Sequence, residues 1–282
     1  MEVCQTIAGI REYVRRARER GAVGLVPTMG YFHEGHLTLM REAAKVCPTV
    51  VVSIFVNPLQ FGPTEDFRDY PRESERDLAL ARETGVHAVF MPDTAEMYPL
   101  SPALYVEVER MDTVLCGRSR PGHFRGVATV VAKLFNIVRP DSAVFGQKDA
   151  QQLQIIRRMV RDLNFDLEVR AVPTVRDSDG LALSSRNIYL NAEQRVAATV
   201  LFRSLETARR AIQSGERSRP AIEKIMVETI SAEPLAELDY ASVYRLPDLE
   251  PVDSLDGELI LAVAARFGKA RLIDNITMRI PG

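Results

Sequence analysis

The stretch PTMGYFHEGH, Pro27 to His36, is the most informative part of this 282-residue sequence. It follows the apolar run VGLVP at 23–27, which predicts a buried strand. It leads into residues 36–47, where apolar side chains recur at helical spacing. A strand, a glycine-containing turn and a helix in this order predict the first unit of a parallel sheet. Ligands bind such sheets beyond the carboxyl ends of the strands, which is where this stretch lies.

The alternation of strand and helix patterns continues through the first half of the chain. Further strands are predicted at 49–56, 88–91, 142–145 and 167–172, and helices at 73–84, 127–138 and 149–163. This spacing predicts right-handed βαβ units and an α/β domain in which helices cover both faces of a parallel sheet.

The pattern changes after residue 174. Helical segments are predicted at 192–213 and 219–232, and strands near 238–245, 257–265 and 270–278. Helices followed by antiparallel strands predict a smaller α+β domain. The turn-rich segment PTVRDSDG (173–180) is the expected hinge, so we expect domains at 1–174 and 175–282.

The composition narrows the class of protein. Hydrophobic residues make up 46% of the chain, charged residues 26%, and the net charge is −2, which argues against a broad basic surface for nucleic acid. The longest apolar run (50–56) is too short to span a membrane, and the N-terminus lacks the apolar core of a secretory signal. Cys4, Cys47 and Cys116 are widely spaced and are expected to be reduced thiols in a cytoplasmic protein.

Two of the four histidines, His33 and His36, fall three residues apart at the predicted helix start. The N–H groups and the positive dipole end of a helix at this point favour a phosphate. Gly30 and Gly35 allow the backbone to bend and a ligand to approach. A zinc helix would space its histidines four apart, and a P-loop sequence is missing. A purely structural pair of histidines remains the alternative.

Two later motifs also follow predicted strands or the hinge. In FGQKDAQQ (145–152), Lys148 can reach a phosphate, whereas Asp149 could accept from ribose hydroxyls or cap the following helix. One of the two glutamines, Gln151 and Gln152, is expected to bind a polar substrate and the other to be solvated. LSSRN (183–187) offers two hydroxyls and a guanidinium for phosphate, or a helix cap with a surface arginine.

Neutral polar groups mark a possible substrate site in FVNPLQFGPTEDFRDYPR (55–72). Asn57 and Gln60 lie among apolar neighbours, a lining that suits a small molecule with hydroxyl and methyl groups. RPGHFRG (120–126) could bind phosphate or form a structured turn, and the sequence leaves both open.

Taken in order, these motifs resemble the pantothenate synthetase (pantoate–β-alanine ligase) family. The resemblance covers nearly the whole chain and is densest from residue 27 to 190; the HxGH pattern alone would indicate only the wider nucleotidyltransferase superfamily. It implies a Rossmann-like N-terminal domain, a smaller α+β C-terminal lid domain and a homodimer. The implied partners are pantoate, β-alanine and ATP with Mg²⁺, without nucleic acid or membrane.

The resemblance also implies a two-step reaction. The pantoate carboxylate attacks the α-phosphorus of ATP to give pantoyl adenylate and pyrophosphate, and the β-alanine amine then attacks the acyl carbon to give pantothenate and AMP. Another HxGH-type nucleotidyltransferase and a non-catalytic nucleotide sensor are the alternatives. Neutral amides at Asn57 and Gln60 argue against a phosphorylated acceptor, and the presence of both motif histidines and Lys148 argues against a sensor.

Residue roles carry over position by position. The implied catalytic groups are His33, His36 and Lys148, with His36 as general acid. The implied ATP ligands are Met29, Gly30, Tyr31, Phe32, His33, Glu34, Gly35, His36, Gly146, Gln147, Lys148, Asp149, Val175, Leu183, Ser184, Ser185 and Arg186. Gln60 and Gln152 match the pantoate ligands, and Asn57 is added to the substrate site; metal ligands are not assigned. Tyr31–Phe32 replaces a smaller pair usual in the family with the spacing kept, so we expect a difference in local packing.

Overall fold

The computed structural model describes residues 1–63 and 65–281. The chain divides into two compact units. The first comprises Met1–Gln147 and Ile155–Pro173, and the second comprises Lys148–Gln154 and Thr174–Gly282. Among the described residues, no helix is long and apolar enough to cross a lipid bilayer.

The first unit is built on a six-stranded sheet in which every neighbouring pair is parallel. Its strands are β1 (Glu2–Cys4), β2 (Val23–Thr28), β3 (Thr49–Ile54), β4 (Ala88–Phe90), β5 (Ser142–Gly146) and β6 (Glu168–Val172), in the order β1-β4-β3-β2-β5-β6. The predicted Rossmann-like α/β sheet is therefore confirmed. Because the chain moves outward from β2 in one direction and returns to β5 on the other side, the sheet reverses its order between these two strands. Ligands bind at such a switch point in open parallel sheets.

The helices described before residue 174 are α1 (Ile7–Ala17), α2 (Glu34–Val46), α3 (Ser74–Glu83), α4 (Thr94–Met97), α5 (Leu115–Ser119), α6 (His123–Val138) and α7 (Ala150–Asp162), the last of which begins in the second unit and continues into the first. All six residues of β3 are buried, as its continuous apolar and β-branched sequence predicts for a central parallel strand. The core beside α2 includes Val26, Met40 and Val52.

In the second unit, helices pack against an antiparallel sheet, which confirms the predicted α+β architecture. The helices are α8 (Ala192–Ala197), α9 (Val200–Gln213) and α10 (Arg219–Ser231). The strands are β7 (Glu237–Arg245), β8 (Glu250–Pro251), β9 (Gly257–Phe267) and β10 (Ala270–Ile280), in the order β10-β9-β7-β8.

One sequence expectation in this unit is wrong. The pattern predicts a single helix over 192–213, but the segment consists of α8 and α9, separated at Ala198 and Thr199. The Thr199 N–H and its hydroxyl both donate to the Val196 carbonyl, at 3.2 and 2.8 Å. This tight three-residue turn changes the helical register, and threonine hydroxyls compete with the backbone in this way.

Candidate functional site

The backbone of the turn after β2 is hydrogen-bonded to a buried carboxyl group. Asp77 of α3 is only 1% exposed, and it accepts the backbone N–H groups of Tyr31 at 2.6 Å and Phe32 at 2.7 Å. Burial raises the pKa of Asp77, while these two hydrogen bonds oppose the rise. Gly30 has a φ of +85°, and a Cβ there would lie 2.9 Å from the Asp77 Oδ2. The turn therefore requires glycine at this position.

His33 and His36 form a capping box at the start of α2. The Nδ1 atom of His33 accepts the Gly35 N–H at 3.1 Å, and the Nδ1 atom of His36 accepts the His33 N–H at 3.4 Å. The ring centroids are 4.1 Å apart. Because Nδ1 of each ring is an acceptor, the neutral form of each imidazole carries its proton on Nε2. Two N–H donors and a helix N-terminus are thus assembled within one turn.

The side chains of the Tyr31–Phe32 pair have different surroundings. Phe32 is fully buried, and its ring centroid lies 5.5 Å from that of His36. Tyr31 adopts a φ of +52°, and the guanidinium of Arg76 lies 5.3 Å from the centre of its ring. The larger side chains therefore pack without changing the spacing of the motif.

Asn57 is a buried hydrogen-bonding centre beyond β3, with 1% of its surface exposed. Its amide Nδ2 donates to the Gln60 side-chain oxygen and to the Gly126 carbonyl, both at 3.1 Å. Its Oδ1 accepts from the Leu59 N–H at 3.3 Å and from the Tyr98 hydroxyl at 2.9 Å. Both donors and both acceptor positions of the amide are thus used within the protein.

Gln60 lies at the end of a short 3₁₀ turn, Pro58–Gln60, and is 8% exposed. Its Nε2 is 3.0 Å from the sulfur of Met29, another predicted site residue. Helix α6 contacts the backbone of this turn at Gly126, where a Cβ would lie 2.2 Å from the Leu59 carbonyl oxygen and 2.6 Å from the Gln60 nitrogen. The absence of a side chain at Gly126 therefore sets the position of the turn.

The RPGHFRG segment takes part in a structured network around the same turn. Arg120 donates through Nε and Nη2 to the two carboxylate oxygens of Glu65, both at 2.6 Å. The Nδ1 of His123 lies 2.7 Å from the Gln60 carbonyl, and its Nε2 lies 3.0 Å from Nη1 of Arg120. A proton on His123 Nδ1 satisfies both contacts. Burial raises the pKa of Glu65, but the hydrogen bonds and charge of Arg120 lower it overall to about 2.

Tyr98 binds the oxygen of the Asn57 amide through its hydroxyl. Burial raises the pKa of its hydroxyl, so this group stays a hydrogen-bond donor at ordinary pH. The ammonium nitrogen of Lys133 lies 5.2 Å from the centre of the Tyr98 ring.

In the second unit, Lys148 belongs to a 3₁₀ turn, Gln147–Asp149. Its side chain is 20% exposed, and its Nζ lies 3.9 Å from Oδ1 of Asp149. The Lys148 carbonyl accepts a 2.8 Å hydrogen bond from the Asn275 side chain. Two glutamines follow. Gln152, the residue that matches a pantoate ligand, is partly exposed, whereas Gln151 is buried at 6% exposure. The expectation that the other glutamine, Gln151, is solvated is therefore wrong.

The segment 175–183 folds back on itself as a short hairpin. The Leu183 N–H donates to the Val175 carbonyl at 3.0 Å, and Arg176 pairs with Ala182 across it. A second 3₁₀ turn, Ser185–Tyr189, follows, and the Ser184 hydroxyl accepts the Arg186 N–H at 3.3 Å. Ser184 therefore has the capping role that the sequence left open.

Arg176 anchors this hairpin to β10. Its guanidinium donates to both carboxylate oxygens of Asp274, at 2.6 and 2.8 Å, and lies 4.1 Å from the centre of the Phe202 ring. Burial raises the pKa of Asp274, against the lowering effect of Arg176.

The predicted site residues are divided between the two units. The first holds Met29–His36, Asn57, Gln60, Gly146 and Gln147, and the second holds Lys148, Asp149, Gln152, Val175 and Leu183–Arg186. Sequence reasoning missed the supporting residues Asp77, Glu65, Arg176, Asp274 and Asn275, and it left Arg120 and His123 undecided. Asp77 and Asn275 contact predicted site residues from distant positions in the chain: Asp77 binds the Tyr31 and Phe32 N–H groups, and Asn275 binds the Lys148 carbonyl.

Comparison with known proteins identifies the family of this architecture. The family model described as pantoate-beta-alanine ligase matches residues 2–277. Pantothenate synthetase from Pelotomaculum thermopropionicum is 59% identical over 276 residues, covering 98% of each chain. The relative of the same name from Heliobacterium modesticaldum is 55% identical and covers 99% of this chain and 100% of its own.

Solved structures agree. The crystal structure of pantothenate synthetase from Thermus thermophilus superposes with a TM-score of 0.93 at 48% identity, covering 98% of this chain and 99% of its own. Pantoate-beta-alanine ligase from Francisella tularensis, complexed with beta-gamma ATP and beta-alanine, gives a TM-score of 0.79 at 30% identity and covers 98% and 97%. By these matches, this chain belongs to the pantoate–β-alanine ligase family.

Proposed function

We propose that this chain condenses pantoate with β-alanine at the expense of ATP, through a pantoyl adenylate. In the first step, a pantoate carboxylate oxygen forms a bond to the α-phosphorus of ATP and the bond to pyrophosphate breaks. In the second, the β-alanine amine forms an amide with the acyl carbon, AMP leaves, and the amine releases a proton. Family membership and the ATP and beta-alanine named for the Francisella structure support this assignment.

The observation that carries the proposal is the capping geometry of His33 and His36. Both rings use Nδ1 to hold the start of α2, so the proton that each neutral ring would donate to an anion is on Nε2. Negative charge on the departing pyrophosphate grows as its bond to the α-phosphorus lengthens, and fixed N–H donors stabilise that charge. Gly30 and its neighbours up to Gly35 would present their backbone to the nucleotide, as would Gly146, where a Cβ would meet nothing closer than 4.0 Å.

For pantoate, we propose Gln60 and Gln152 as the amides that hydrogen-bond the substrate. Gln60 has its backbone fixed by His123 and its side chain fixed by Asn57. Asn57 already uses its full hydrogen-bonding capacity within the protein, so we propose that it serves the substrate site by orienting Gln60. An amide held in one orientation distinguishes hydroxyl donors from carboxylate acceptors on the substrate.

In the second unit, we propose Lys148, Ser184, Ser185 and Arg186 as phosphate ligands. Lys148 supplies a compact charge, and Arg186 supplies a planar group that can bind two oxygens at once. The backbone and side chains of Val175, Leu183, Gln147 and Asp149 complete the proposed nucleotide contacts.

We also propose Mg²⁺ as the companion of ATP. No group of three or more His, Cys, Asp or Glu side chains in the described part of the chain could hold a metal ion. Mg²⁺ usually keeps several waters and binds substrate phosphates through few protein ligands. The donor set therefore fits a cation brought in by ATP, and we assign it no protein ligand. From the family resemblance we further propose a cytoplasmic homodimer, whose dimeric state light scattering of the purified protein would test.

The decisive experiment is pantoate-dependent exchange of labelled pyrophosphate into ATP, with Mg²⁺ and without β-alanine. Exchange that requires pantoate establishes the adenylation step. Addition of β-alanine should then stop exchange and release pantothenate and AMP in equal amounts. If folded protein binds ATP yet shows no exchange with pantoate, the acceptor is a different molecule and the proposal is wrong.

A further inference from the structure

Two consecutive buried polar residues interrupt the pattern of strand β10. From Ala270 to Ile273 the side chains alternate between buried and partly exposed, as expected for an edge-of-sheet strand with one covered face. At Asp274 and Asn275 the alternation breaks, and these residues are only 3% and 5% exposed. Burying a polar side chain is costly unless hydrogen bonds compensate for the lost water.

The burial of Asp274 is compensated by its ion pair with Arg176, whose guanidinium is held by several further contacts. The guanidinium donates to both oxygens of Asp274 and to the carbonyls of Gly180 and Asn275, at 3.0 and 3.3 Å, while its flat face lies on Phe202. The backbone N–H of Asn275 donates to the same carboxylate at 2.7 Å. The ion pair therefore fixes the backbone of Asn275 from both its N–H and its carbonyl.

The side chain of Asn275 uses this fixed base to reach another segment. Its Nδ2 donates to the carbonyl of Lys148 at 2.8 Å, across 127 positions of sequence. That carbonyl belongs to the peptide that joins Lys148 to Asp149. Holding its plane restricts the backbone torsions of Lys148 and so the direction in which the ammonium group leaves the chain.

We propose that Asn275, supported by the Asp274–Arg176 ion pair, is a positioning residue that aims Lys148 at the phosphates during adenylation. The inference rests on the proposed function, because Lys148 acts there as a phosphate ligand. A buried ion pair contributes little to net stability compared with apolar packing, so a role in fixing geometry accounts better for its presence. Small displacements of a catalytic group reduce rate steeply, because the group must lie at its working distance in the transition state.

A double-mutant cycle tests this directly, using pantoate-dependent pyrophosphate exchange with Mg²⁺-ATP. We expect Asn275→Ala to lower the maximal exchange rate about ten- to a hundredfold, with little change in the KM for pantoate. If Asn275 acts through Lys148, the same substitution in a Lys148→Ala background should cost less than about twofold, because coupled positions are not additive. Equal losses in both backgrounds would overturn the proposal.

Asp239→Asn is the matched structural control. Asp239 also pairs with an arginine of β10, Arg271, at 2.6 Å, and both side chains of that pair are largely shielded from water. We expect Asp239→Asn and Asn275→Ala to lower the thermal unfolding midpoint to a similar extent, but Asp239→Asn to leave the exchange rate near that of the wild type. An equal loss of exchange in the two variants would mean that Asn275 has only a structural role. Should Asn275→Ala not fold, Asn275→Ser keeps a polar side chain that is too short to reach Lys148. Wild-type protein without exchange would instead refute the proposed function itself.

Discussion

The carboxylate of Asp77 accepts the backbone N–H of Tyr31 at 2.6 Å, although 46 positions separate them in the chain. The neighbouring Phe32 N–H binds the other carboxylate oxygen. A buried carboxyl group that accepts two peptide N–H groups fixes both the path and the tilt of the turn that precedes α2. The backbone groups proposed to meet ATP are thereby set before any nucleotide binds, which reduces the ordering needed on binding.

Replacing Asp77 should affect stability and nucleotide affinity together. Asp77→Ala leaves two backbone N–H groups without their acceptor, and each such loss costs about 1–3 kcal/mol when the group is buried. We expect a lower free energy of unfolding in urea and a higher KM for ATP. Asp93 of the same unit caps a helix by accepting the Glu96 N–H at 2.7 Å from an exposed position. Asp93→Asn should change neither quantity, and a normal ATP affinity in Asp77→Ala would contradict the proposed role of the turn.

Substitutions of His33 can separate its two functions. His33→Ala removes both the helix cap and the Nε2 proton. We expect the free energy of unfolding to fall by about 1 kcal/mol and the exchange activity to be lost as well. His33→Asn restores a side-chain oxygen that can accept the Gly35 N–H, because asparagine is among the best N-caps. It should unfold like the wild type in urea yet exchange pyrophosphate about 10²–10³-fold more slowly. Near-normal exchange by His33→Asn would show that capping alone is required of this histidine.

Much of the nucleotide site could be predicted because its signals are local. The six residues of β3 are apolar or β-branched throughout, apart from one serine, and the histidines of the capping box lie within four positions. The sequence reading missed helix α1, although Thr6 caps it and Ile10, Tyr13, Val14 and Ala17 recur at helical spacing as its buried face. The three residues of β1 are too short a run for any periodicity to register.

The supporting residues could not be predicted, since nothing local distinguishes them. Asp77 lies in ESERDLALARE, where every charged residue looks suited to a solvated helix face. Asp274 and Asn275 are two consecutive polar residues in a strand, a pattern that does not predict burial of both, and their burial follows only from what packs against them. The break at Thr199 contains neither glycine nor proline. These features depend on contacts between distant segments, which sequence spacing does not encode.

Gly126 offers a steric test of the substrate site. A Cβ in Gly126→Ala would lie 2.2 Å from the Leu59 carbonyl oxygen, so α6 and the Pro58–Gln60 turn must separate. We expect a destabilisation of about 1–3 kcal/mol from this overpacking. Because Gln60 moves with the turn, the KM for pantoate should rise about tenfold or more, with the KM for ATP nearly unchanged. Gly9→Ala within α1 controls for a generic methyl addition, and equal changes in both KM values would contradict a specific effect on pantoate.

The ion pair between Glu65 and Arg120 predicts a defined pH dependence of stability. The pKa of Glu65 falls from 4.5 in its ordinary state to about 2 in the folded protein. An acid whose folded pKa is lowered stabilises the fold above its unfolded pKa and loses that contribution as the pH falls through the folded value. Urea unfolding should therefore show wild type more stable than Glu65→Gln at pH 6 to 8, with the difference shrinking between about pH 4.5 and 2.

Glu12 provides the control for this prediction, because it makes a comparable two-point pair with Arg15 on the exposed surface of α1. Glu12→Gln should shift the unfolding midpoint far less, because water screens an exposed pair. A Glu65 difference that stays constant down to pH 2 would mean that the carboxylate charge does not support the turn that carries Gln60.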